Sequence, residues 1–225
     1  MKGQAKNLDL ETTFRILRHD LINPVSAIRM TADALLLDEK NPKKKSNLES
    51  IKNMVDEEIS LIRDVSAYTQ LLLEKNIKKN RFNIKKIFED NISLLKRELD
   101  SSGIVLVFDS EMDREITADK NLQLALKQLL SNSIKYSPKN GVVNIGFNIK
   151  SNKIIFYFKD KGLGVENKYK KSIFTRFRQE DKGGIAGFGV GLAIVKKIAD
   201  LNKGKAFVRD NPYGGSIFCF EIPLY

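Results

Sequence analysis

The chain holds a single cysteine, Cys219, so no disulfide can form within it; that usage suits a reducing compartment. Tryptophan is absent, and histidine occurs once, as His19. No apolar run approaches the ~18–20 residues that span a bilayer, and the opening MKGQAKNLDLETTF lacks an apolar stretch of the signal-peptide kind. Zinc-ligand spacing, the Walker pattern, RNA-binding signatures, low-complexity tracts and internal repeats are missing too. These absences predict a soluble, cytoplasmic segment that makes no membrane contact of its own.

What is present is a foldable composition. At 42% hydrophobic and 30% charged residues, the sequence can build a packed core and is not of the disordered class. The formal charge of +11 raises nucleic-acid binding as one reading. However, the lysines are scattered in twos and threes (43–45, 78–79, 85–86, 170–171, 196–197) without interleaved aromatics. No nucleic acid is expected, and the charge favours acidic or phosphorylated partners instead.

Two long helices are expected first. Phe14, Leu21, Ile28 and Leu35 recur every seven residues with Leu17 on the same stripe, and Leu48, Ile51, Val55, Ile62, Val65 and Leu72 form a second. DEKNPKKKS between them supplies the turn. One antiparallel hairpin cannot cover its own seam, so two copies pairing as a four-helix bundle, a homodimer, is the natural solution. Residues 1–75 are thus a dimerisation hairpin, the polar stretch 76–82 (NIKKNRF) a linker, and 83–225 a second domain. There the pattern predicts helices at 84–99, 119–135 and 190–201. It predicts strands at 104–109, 114–117, 141–149, 153–160, 205–209 and 215–222. The non-alternating order points to an α+β sandwich with a mixed sheet covered on one face.

His19 lies in RHDLINPVSAI. Asn23, four residues on, shares its helical face. Pro24 deprives the Asp20 carbonyl of its intrahelical partner and bends the helix beside His19, at a cost of about 3 kcal/mol that a plain bundle has no use for. A neutral imidazole, with an ordinary pKa of about 6.5, can attack phosphorus, while Asp20 holds the proton on the other ring nitrogen. Asn23 can orient a water for the reverse hydrolysis.

RHDLINPV resembles the phosphoacceptor box of the sensor histidine kinases, and four later segments resemble that family's boxes in its order. The resemblance covers residues 8–223 and implies a Bergerat-type ATP-binding domain of the histidine kinase, Hsp90 and gyrase kind. LKQLLSNSIKYSPKNG resembles the N-box. By resemblance Asn132 ligates Mg²⁺, Lys135 contacts phosphate and Tyr136 lies by the nucleotide. Gln128 stands where the family often carries another asparagine; it keeps the amide oxygen on a longer arm. In FYFKDKGLGV, Asp160 at a strand end can accept from the adenine amino group, with Gly162 and Gly164 letting backbone approach the ring. IFTRFRQED resembles the phenylalanine box through Phe174 and Phe177, with Arg178 in reach of the γ-phosphate. In GGIAGFGVGLAIVKKI, Gly187, Gly189 and Gly191 precede a helix whose N-terminus favours phosphate.

The implied activity is in-line transfer of the γ-phosphate of ATP, with Mg²⁺, to His19 and then to an aspartate of a response-regulator receiver domain. The resemblance further implies a lid at 166–188, a hinge at 76–82, and room for an upstream sensor or membrane region. A phosphatase-biased or weakly active kinase stays open, given Gln128, Gln179 and Phe188. An ATP-operated clamp of the Hsp90 or MutL type also stays open, although it leaves the histidine hairpin unexplained.

Overall fold

In the computed structural model the described residues are 2–74, 76–175 and 189–225, and they fall into two units, Met1–Leu73 and Glu74–Tyr225. The first is a hairpin of α1 (Lys2–Asp38) and α2 (Pro42–Leu73). The turn is shorter than the sequence suggests, because the three lysines already lie in α2. Asn41 caps that helix, its Oδ1 accepting from the N–H groups of Lys43 (3.0 Å) and Lys44 (3.2 Å), and Pro42 fills the first helical position, where no N–H is required. Ala32, Val55 and Ile59 are buried along the helix pair, and Arg29 reaches Asp56 (2.9 Å) while Lys52 pairs with Asp33. Leu21, Ile28 and Leu35 of the heptad stripe are all more than half exposed.

The second unit opens with β1 (Lys79–Asn83), which pairs antiparallel with β3 (Glu115–Asp119). Residues 79–82, read from the sequence as linker, are therefore a strand of this unit. Asn83 ends that strand and caps α3 (Ile84–Leu94), its Oδ1 accepting from Lys86 N–H. The expected single helix is broken at Leu95 (φ −105, ψ 14) and resumes as α4 (Lys96–Ser102), which Gly103 closes in a left-handed conformation.

The main sheet has the order β2-β4-β5-β7-β6: β2 (Val105–Phe108), β4 (Val142–Lys150), β5 (Lys153–Lys159), β7 (Ser216–Pro223) and β6 (Lys205–Asp210). Only the β2–β4 pair is parallel. Alternation along β5 buries Ile154, Phe156 and Phe158 toward the helices α3, α5 (Leu122–Tyr136) and α6 (Gly191–Leu201). On α5, Leu122, Ala125, Leu126 and Leu129 are fully buried at helical spacing, so this helix is the centre of the covering layer. The fold class matches the expected helical hairpin followed by an α+β sandwich. Among the described residues no helix is long and apolar enough to cross a membrane.

Candidate functional site

His19 sits mid-way along α1 with its side chain 71% exposed. Its Nδ1 lies 3.2 Å from Asp20 Oδ1, and Asn23 Nδ2 lies 3.2 Å from each ring nitrogen. With the proton on Nδ1, Asp20 accepts it and Nε2 keeps its lone pair, within reach of the Asn23 amide. All three side chains expected to act together are thus together, one turn apart, and open to a large reactant. Pro24 follows inside the helix, as expected.

In the second unit the most constrained residue is Asp160, at the end of β5 and 2% exposed. Its Oδ1 accepts from the N–H groups of Gly162 (2.9 Å) and Ser216 (3.1 Å), and its own N–H donates to Ser216 O (3.0 Å). Asn211 Nδ2 donates to its carbonyl at 2.8 Å. The other carboxylate oxygen, Oδ2, is buried without a partner. Burial pushes this carboxyl above its ordinary value of 3.8, and the two N–H donors pull it partly back. A buried acceptor held this rigidly and left open fits a ligand N–H donor such as an aromatic amino group.

Gly162 lies against the C-terminus of α5: a Cβ there would fall 2.2 Å from Tyr136 O. Gly164 (φ 73) and Gly189 (φ 66) adopt left-handed backbone, which a side chain disfavours. Asn132 is half-buried, and Lys135 and Tyr136 are exposed on the same last turns of α5, with Lys135 Nζ 5.8 Å from the Tyr136 ring centroid. Burial of its hydroxyl raises the Tyr136 pKa above 10.0. Gly191 opens α6, and a Cβ there would fall 2.6 Å from Gln128 Oε1. So α5 lies against both glycine segments, at Gly162 through Tyr136 and at Gly191 through Gln128. Phe174 is buried in a short 3₁₀ turn, Ser172–Phe174, that packs on α6. Arg178 and Gly187, with Phe177 and the rest of the expected lid beyond Thr175, lie outside the described residues.

Asn211, Gly215 and Ser216, which encircle Asp160, were not singled out from the sequence. The Asn-Pro-x-Gly-Gly run between two strands was the available signal, since it marks a tight turn. Among the described residues no three His, Cys, Asp or Glu side chains cluster as a metal cage.

Residues 117–225 match the family described as histidine kinase-, DNA gyrase B- and HSP90-like ATPases. The sensor-like histidine kinase SenX3 of Mycolicibacterium smegmatis is 28% identical across 99% of this chain and 60% of its own length. That alignment runs through the hairpin as well as the sandwich, and it agrees with the family match. The chain carries a histidine kinase catalytic core. The sensor protein CiaH of Streptococcus pneumoniae is 34% identical over 53% of this chain and 28% of its own length. The crystal structure of full-length ShkA in complex with AMPPNP shares the fold, with a TM-score of 0.71 at 22% identity over 95% of this chain and 46% of that one. This core therefore spans 60% or less of the relatives named here.

Proposed function

We propose that this histidine kinase core autophosphorylates His19 from ATP and passes the phosphoryl group to an aspartate of a response-regulator receiver domain. Nε2 of His19 attacks the γ-phosphorus, the bond to the bridging oxygen breaks, and ADP leaves. Asp20 keeps the Nδ1 proton and stabilises the imidazolium that develops. Asp160 Oδ2 accepts from the adenine amino group, Lys135 and the N-terminus of α6 face the phosphates, and Arg178 and Gly187 complete the phosphate end. Mg²⁺, held through Asn132, supplies positive charge to the triphosphate. The exposed heptad stripe pairs two copies into a homodimeric four-helix bundle, with segment 1–75 as the dimerisation domain. The core works in the cytoplasm, downstream of a sensor or membrane region.

The observation that carries this reading is the exposed imidazole of His19, hydrogen-bonded on its Nδ1 side by Asp20, in the same chain as a buried carboxylate with one open acceptor. The test is incubation of the wild type and His19→Ala with γ-labelled ATP. Label on the wild type should survive alkali and be lost in acid, and His19→Ala should take up none. Label persisting on His19→Ala would remove His19 as the acceptor. The Asn23 amide beside the ring supports a second activity, dephosphorylation of the regulator. Asn23→Ala should slow that reaction more than autophosphorylation.

A further inference from the structure

Gln128 and Gly191 are 63 positions apart in sequence and meet where α5 passes the first turn of α6. Gln128 is 7% exposed, so its amide is enclosed by the helix layer and has little room to swing away. The position a Cβ on Gly191 would take lies 2.6 Å from Gln128 Oε1 and 3.5 Å from its Cδ. That is about 0.8 Å short of ordinary contact, which begins at 3.4 Å. The backbone of Gly191 is not left-handed, and alanine is the better helix former by about 1 kcal/mol. Helix conformation therefore does not call for glycine at this position. What a side chain there would meet is the end of the buried glutamine arm.

We infer that Gln128 is a positioning residue for the first turn of α6, the phosphate end of the proposed site. Its buried amide fills the volume of the missing side chain at 191 and sets the first turn of α6 against α5, so the two residues form a size-matched pair. On this account the first-turn N–H groups of α6, the phosphate-facing donors, are held in place through Gly191 by Gln128. A side chain at 191 would require the enclosed Gln128 amide or α6 itself to shift, and a shift of α6 would misplace donors that must meet a triphosphate. Shortening residue 128 opens the space again. The inference rests on the nucleotide reading for its binding readout alone, because the packing of the pair shows independently in thermal stability.

The experiment is a double-substitution cycle on the full chain: wild type, Gln128→Ala, Gly191→Ala and the combination. Each is measured by thermal unfolding without nucleotide, and by titration with Mg²⁺–ATP and with adenosine. Gly191→Ala alone should unfold at a lower temperature and bind ATP about tenfold more weakly, the scale of coupling between residues in contact. The combination should bind ATP within about threefold of Gln128→Ala alone. Adenosine affinity should hardly move in any variant, because the Asp160 end is untouched; a general loosening of the fold would lower both. The inference is overturned if Gly191→Ala behaves as wild type, or if the combination stays as weak for ATP as Gly191→Ala, which would mean that the phosphates themselves demand the glycine. Failure of the wild type to bind ATP would instead refute the nucleotide reading, and the unfolding temperatures would still report rescue or its absence.

Discussion

The hairpin and the sandwich treat their apolar residues in opposite ways. In the sandwich, Phe88, Phe156, Phe158, Phe220 and the leucines of α5 are shut away almost completely. In the hairpin, the described core is little more than Ala32, Val55, Ile59 and Leu71, while Leu21, Ile28, Met30, Leu35 and Leu37 stand more than half exposed. The sandwich completes its own interior. The hairpin leaves a seam of the length and periodicity that a second copy would cover. Reactive groups follow the same division: Asp160 is sealed and fixed by four hydrogen bonds through its backbone and Oδ1, whereas His19 and Asp20 stand in solvent. The proposed function would use both: a nucleotide has to be gripped, and a phosphoacceptor has to be reached by more than one protein.

The sharpest break of this comparison is Leu21→Glu with Ile28→Glu. Four seam side chains lost per dimer should cost association about 4 kcal/mol or more, giving monomers by sedimentation while ATP affinity is unchanged. A dimer that survived would mean that the stripe is not the seam. Next in size is Phe156→Ala, fully buried beside Phe147 with ring centroids 5.9 Å apart. It should destabilise the sandwich by about 3–5 kcal/mol in denaturant titration and leave dimerisation intact.

Asp160→Asn removes the charge behind the open acceptor and should weaken ATP binding by about tenfold to hundredfold, read by calorimetry. The same carboxyl gives a pH signature. Because burial raises its folded pKa, the stability it contributes without nucleotide is complete below 3.8 and is lost as pH rises through the folded value; buried Asp119 adds in the same direction. ATP affinity should run the other way, falling as acid protonates Asp160 at a higher pH than an exposed aspartate. Asp160→Asn should flatten both trends. The smallest effect belongs to the hairpin turn: Asn41→Ala removes the cap on α2 and should cost about 1 kcal/mol in thermal unfolding.

Much of this was legible in the residues. The heptad stripes mark both long helices, and each strand of the main sheet overlaps a segment that the sequence pattern predicts. Strand β1 was not legible, because NIKKNRF is polar and basic and earns its pairing only from β3, more than thirty residues away. The break at Leu95 was hidden for a different reason, since nothing in the surrounding residue types interrupts the helical pattern. Within the candidate site, the adjacency of His19, Asp20 and Asn23 was readable from type and spacing. The groups that fix them were not. Ser216 holds Asp160 through a backbone N–H, Tyr136 meets Gly162 through a backbone carbonyl, and Gln128 meets Gly191 only after the helices have packed.

Those last two contacts make α5 a caliper. Gln128 and Tyr136 are eight residues apart, a rise of about 12 Å along a helix, and each lies against a glycine that bounds one end of the proposed site. The jaws are therefore set by a rigid rod rather than by the loops that line them. Inserting one residue between the two contacts would turn one jaw by about 100° relative to the other, so the helix tolerates substitution on its outer face far better than any change in length.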